Sequence, residues 1–168
     1  MRKLLTLLLL LSIGACQAES ENPLKMITLL TPKGETIKTT LAYTEKDSMQ
    51  GLSGVKPENF AHDQAMLFFY LSDEERHFWM PDTYFDLDLF YLDKDLKIID
   101  VVRKLPHYIG RANPSLIPKA RSVWCRHVLE MKSTSPIAEK LNIGDQFKWK
   151  SSLDLKTTEE KIKKELVK

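Results

Sequence analysis

The sequence predicts a mainly β single domain, an antiparallel β-sandwich or small barrel, followed by a C-terminal helical tail. Three observations carry this prediction. Residues 65–92 hold three dense apolar runs, at 65–71, 78–80 and 87–92, separated by short polar breaks. Apolar residues fill both parities of the first run, which suits a strand covered on both faces. Elsewhere, strand-like segments bounded by turn residues dominate, and helical patterns are confined to short pieces.

At the start of the chain, Met1-Arg2-Lys3 is basic and residues 4–11 are apolar apart from Thr6. The run is too short for a permanent membrane span, so residues 1–15 read as a signal peptide. Ile13-Gly14-Ala15-Cys16 resembles the bacterial lipobox, in which cleavage exposes a cysteine that is then lipidated. An ordinary secretory signal cut near Ala15 or Ala18 is the alternative. Each buried methylene contributes about 0.8 kcal/mol, so palmitate-like chains on Cys16 anchor the protein to the cell envelope. Gln17 is not the aspartate associated with inner-membrane retention, which favours the outer membrane.

The 25 basic residues face 23 acidic ones, and Arg2 and Lys3 account for the formal charge of +2. Global charge therefore offers nothing to nucleic acid. Residues 16–24 read as a polar tether. The segment 25–150 is long enough for one β-rich domain with its own core. With Cys16 lipidated, Cys125 has no partner in the chain.

Segments 26–31 and 36–43 read as a hairpin around Pro32-Lys33-Gly34. Thr44 with Asp47 three residues on opens a helix that Gly51 must end early. Residues 97–104 form a further strand. Residues 105–122 contain Pro106, Gly110, Pro114 and Pro118, so regular structure is not expected, and so long a connection points to function or disorder. Residues 123–132 resume as one strand, with Val123, Cys125, His127, Leu129 and Met131 on one face. Ser135-Pro136 starts a helix to about Leu141, and 146–150 is the last strand. In the tail, 151–168, Thr157 and Glu160 make a capping box. The apolar pair Ile162 and Leu166 is thin, so a surface or frayed helix is expected.

Gly51-Leu52, Met66-Leu67-Phe68, Phe78-Trp79-Met80, Thr83, Leu87-Asp88, Val128-Leu129-Glu130 and Gly144-Asp145 occur in an order that resembles one prokaryotic family. That family is catalogued as domain of unknown function 192, and the resemblance covers about residues 35–150. It implies a small, mainly β, often exported domain with no established activity. The chain departs from the family pattern at Ser53, Val55, Ala65, Asp82, Asp86 and the Ser133–Ser135 run.

Asp86 and Asp88 project the same way along a strand, so Asp88 with Asp82 or Asp86 could act on envelope carbohydrate. Asp88 alone reads better as a buried, hydrogen-bonded structural carboxylate. Cys125 beside His127 lacks the further ligands of a metal site, so no metal or cofactor is expected, and Cys125 reads as an inert core thiol. Trp79 and Met80 read as core or as a pocket wall with Asp82 and Thr83 at its lip. From 73 to 100 there are nine acidic and three basic residues, whereas 101–129 holds six basic and no acidic ones. Either these segments pair, or Arg111, Lys119 and Arg121 form an anion site for a glycan, lipid headgroup or envelope protein. The leading expectation is a lipid-anchored binding module that uses the 105–122 loop. A carbohydrate-acting hydrolase or transferase is the first alternative and an assembly protein the second.

Overall fold

The computed structural model describes residues 24–167, so the signal, the lipidation site Cys16 and most of the tether lie outside the described residues. The strands are β1 (Met26–Leu30), β2 (Thr36–Ala42), β3 (Gln64–Phe68), β4 (Glu74–Arg76), β5 (Leu87–Leu92), β6 (Ile98–Leu105), β7 (Val123–Cys125), β8 (His127–Lys132) and β9 (Lys148–Lys150). Two α-helices, α1 (Glu45–Gln50) and α2 (Leu155–Leu166), complete the set. Seven strands form one sheet in the order β6-β5-β8-β3-β2-β1-β9, and β4 pairs with β7 apart from it. All pairs are antiparallel except β2 with β3.

The expected hairpin forms, with Gly34 at φ +84° closing its turn. A side chain there would be strained, so glycine suits the position. The capping box also forms. Thr44 Oγ1 accepts from the Asp47 backbone, and the Asp47 carboxylate accepts from the Thr44 N–H. Every residue of β5 and β8 is buried. Phe90, Leu92, Leu129 and Met131 face one core layer, while Leu87, Leu89, Tyr91 and Val128 face another. The mixed parity of the sequence thus reflects a sheet covered on both sides.

The large sheet curls until its ends meet. Ile98 N donates to Asp145 O at 2.8 Å, Gly144 N to Ile98 O at 2.8 Å and Phe147 N to Leu96 O at 3.1 Å. No ladder runs along β6 and β9, so the barrel stays unclosed.

Three local expectations are corrected. The single strand expected at 123–132 breaks at Arg126, whose guanidinium reaches Asp73 and Glu159. The break resets the alternation. Cys125 joins the layer of Val128, while His127 stacks on Phe69 with ring centroids 4.5 Å apart. The helix expected after Ser135 is one 3-10 turn, Ala138–Lys140. Its N-cap is Ile137 and not Ser135, although Ser135 Oγ accepts from Ala138 N at 3.3 Å, and Arg103 takes the carbonyls of Ala138 and Leu141 that a longer helix would use. The tail helix begins at Leu155 with Asp154, not Thr157, as its N-cap, and Ile162 is fully buried in the first core layer. It is an integral part of the fold and not a frayed appendage. Among the described residues no helix is long and apolar enough to cross a membrane.

Candidate functional site

Residues 78–83, between β4 and β5, meet the 105–122 loop edge to edge. Bridges join Trp79 to Lys119, and Pro81 and Thr83 to Tyr108. Asp82 N donates to Gly110 O at 2.9 Å, and its carboxylate accepts from Gly110 N at 3.1 Å. Asp82 holds φ +51°, a left-handed conformation that asparagine and aspartate tolerate better than most residues. The loop is irregular, as expected, but it is fastened to the segment that carries Trp79.

Behind that segment lies a cavity of about 90 Å³, walled by the end of α1, Phe68, Tyr70 and residues 77–81. Trp79, Met80 and Thr83 line it, and Trp79 is half exposed. Its least expected lining residue is Glu130. This side chain is 4% exposed, and its neighbours across the sheet are Met66 and Leu89. No described group donates a hydrogen bond to its carboxyl, and burial alone pushes its pKa from the ordinary 4.5 to about 8. A carboxyl held this way keeps its proton at neutral pH unless a ligand supplies a countercharge.

The other predicted site residues separate into different places. Arg121 binds both carboxylate oxygens of Asp100 and the Val101 carbonyl, so it serves the fold. Arg103 and Arg126 likewise pair with acidic residues. Arg111 and Lys119 are exposed and form no ion pair among the described residues. Lys119 and Trp79, with His77 and Ser122, line a shallower groove of about 430 Å³ that shares the Phe78-Trp79 wall with the Glu130 cavity.

Asp88 lies elsewhere. It accepts from Arg103 Nη1 at 2.6 Å and from Lys104 N at 2.8 Å, and it lines neither space. Asp86 accepts from His107 N at 2.9 Å. Partial burial opposes its ionisation, but the His107 hydrogen bonds hold its pKa below the usual range. The three aspartates are thus committed to separate intramolecular bonds. Cys125 is buried, and burial pushes its thiol to about 11, which leaves little nucleophilic thiolate.

Glu130 is the residue that sequence reasoning passed over as a site. A carboxylate between Leu129 and Met131, inside a strand buried on both faces, was the available signal. It is the same signal that singled out Asp88.

Glu130 and His127 give the chain a distinctive pH response. Burial first, then the neighbouring Arg126 and Arg76, lowers the His127 pKa from 6.5 to about 3. Its neutral Nδ1 accepts from Tyr70 N at 3.2 Å. A raised acid pKa contributes stability at low pH that is lost as pH rises through the folded value, whereas a depressed histidine contributes stability lost as pH falls. Between 4.5 and 6.5 the two slopes oppose each other, and between 6.5 and 8 only Glu130 acts. Stability is therefore expected to decline from pH 6.5 to 8, and Glu130→Gln to abolish the decline. Equilibrium denaturation across that window checks it, and parallel profiles for parent and variant would refute the assignment.

Comparison with known proteins agrees with the fold. A crystal structure from Sinorhizobium meliloti 1021, described as a candidate transcription regulator, is 23% identical with a TM-score of 0.56. The match covers 74% of this chain and 92% of that one. A protein of unknown function from Novosphingobium aromaticivorans DSM 12444 is 19% identical with a TM-score of 0.58, over 74% and 84% of the two chains. At such identities the likeness is one of fold alone. No curated protein matches the chain. A family profile described as "Uncharacterized ACR", domain of unknown function 192, matches residues 28–149.

Proposed function

We propose a binding function for this chain, which belongs to the uncharacterised family of domain of unknown function 192. In this reading it is a cell-envelope lipoprotein, anchored through Cys16, that holds a small ligand behind and beside Trp79. The observation that carries the reading is Glu130, a buried carboxyl without a partner that faces a cavity. An isolated polar group of that kind costs stability, and no contact within the protein repays the cost. A bound ligand does so. Lys119 lies on the open side of the same wall, and the exposed Arg111 follows Gly110, which is bonded to Asp82; both suit an anionic surface or the anionic portion of the ligand.

Two measurements test this function. Mass spectrometry of the native protein is expected to find Cys16 as an acylated N-terminus, and a cut at Ala18 would remove the anchor from the reading. The rim is tested on the unlipidated Cys16→Ser chain with phosphatidylglycerol vesicles at low and high salt. Retention should fall with salt, because exposed charges are screened over about 8–10 Å at physiological ionic strength. Arg111→Gln with Lys119→Gln should weaken retention without lowering the melting temperature. Retention that ignores both salt and the two substitutions rejects the anion-binding rim.

A further inference from the structure

Several hydroxyl and amide groups lining the Glu130 cavity are already hydrogen-bonded within the protein. Ser53 Oγ donates to Pro81 O at 2.6 Å, Thr83 Oγ1 to the same carbonyl at 3.4 Å, and Gln50 Nε2 to Ser53 O at 2.6 Å. The Ser48 hydroxyl lies beside the Tyr70 phenol, a pair that keeps one O–H to offer. His77 Nδ1 sits 2.6 Å from Ser122 Oγ, turned toward the neighbouring groove. Glu130 faces the space without accepting from any of them. Much of the remaining wall is aromatic, from Phe68, Tyr70, Phe78 and Trp79. A buried carboxyl beside ring faces suits a guest that brings its own N–H donors and a positive charge.

We propose that the Glu130 cavity binds the ammonium head of a small organic cation, with the Glu130 carboxylate as its ionic partner. The inference rests on the binding function proposed above and names the chemistry of the buried end of the ligand. A cavity of about 90 Å³ admits a head group of a few heavy atoms rather than a sugar ring.

The charged groups around Glu130 do not fill this role. On β8 itself, Lys132 Nζ donates to Pro57 O at 2.6 Å. Arg76, at the end of β4, lies over the Tyr70 ring and donates to Glu74 and the Ser72 carbonyl, while its buried Nε has no partner among the described residues. Asp47 on α1 is paired with Lys25. Tyr91 of β5 donates its hydroxyl to Arg121 O, and Cys125 of β7 is a buried thiol. The strand neighbours Met66 and Leu89 carry no charge. His77, at the mouth, is the remaining titratable lining residue.

Binding has a proton balance that distinguishes a cation from a neutral guest. The ammonium keeps its proton, Glu130 gives one to solvent, and a carboxylate–ammonium pair forms. Below the folded pKa of about 8, affinity then rises about tenfold per pH unit. A neutral hydroxyl or amide that accepts from protonated Glu130 shows no such rise.

The test is calorimetric titration of the Cys16→Ser chain with ethylammonium chloride, and separately with ethanol and acetamide, at pH 6, 7 and 8. Two buffers of different ionisation enthalpy read out proton release directly. Ethylammonium is expected to bind with release of close to one proton at pH 6, and with affinity rising toward pH 8. Glu130→Gln should weaken it at least tenfold at pH 8, while His77→Asn keeps the slope. Proton release is read on the parent side chains, so the test survives a Glu130 variant that fails to fold. If ethanol or acetamide binds and ethylammonium does not, or if no proton is released, the cation is wrong and the binding site stands. If none of the three binds while vesicle retention remains salt-dependent, the cation inference falls and the anion-binding rim stands. If both assays are negative, the binding function falls with it.

Discussion

Replacing Asp88 with alanine is expected to lower stability by about 2–3 kcal/mol, because it strips charge-assisted hydrogen bonds from two donors at once. The carboxylate is 2% exposed and does more than neutralise Arg103. The β5–β6 ladder shifts register between Leu87 and Leu89, and Lys104 holds φ +51° on the strand opposite. At such a bulge a backbone N–H loses its ladder partner. Asp88 Oδ1 takes that N–H, and Oδ2 holds Arg103 where it can donate to the carbonyls of Ala138 and Leu141. One carboxylate therefore ties a bulge to a 3-10 turn. Arg103 keeps partial access to water, which limits the cost below that of a fully buried broken pair. For a domain of this size the melting temperature should drop by about 5–10 °C. Asp88→Asn should retain part of the loss, since its amide oxygen still accepts from Lys104 N. An unchanged denaturation midpoint and slope for Asp88→Ala would show that the hub is dispensable.

Ile162→Ala should cost about 2–4 kcal/mol, the range for emptying a buried isoleucine site in a packed core. Ile162 is fully buried in the layer that contains Leu129, Met131, Phe90 and Leu92. Around it, Lys161, Lys163 and Lys164 are exposed or nearly so, so α2 is fastened mainly through this side chain and Thr158. Tyr43 Oη donates to Glu165 Oε1 at 3.1 Å and adds one long-range tie. Leu166→Ala, at a 48% exposed position, should change stability little and serves as the control. Equal, small effects from both substitutions would mean that the helix frays in solution.

Local chemistry alone was enough to read several elements. The hairpin needs a turn residue that tolerates positive φ, and Pro32-Lys33-Gly34 supplies one. The capping box of Thr44 and Asp47 is written within four residues. The run 65–71 announces a strand covered on both faces by its mixed parity, and Asp88 announces a partner by standing among apolar neighbours. The candidate site was legible only in part. Trp79, Met80 and Thr83 do line the cavity, but Arg121 is taken by Asp100, and Asp88 faces elsewhere.

By itself, the sequence determined a mainly β domain buried on both faces of its sheet, because periodicity, turn residues and caps act over a few residues. The tertiary structure alone decided the parallel pairing of β2 with β3, the break at Arg126 and the burial of Ile162. It also decided that Glu130 should face a cavity closed by α1 and the Trp79 segment. Each of these outcomes depends on contacts between groups far apart in the chain. Such contacts override local propensity, because the burial of apolar area they bring outweighs what one turn or cap contributes.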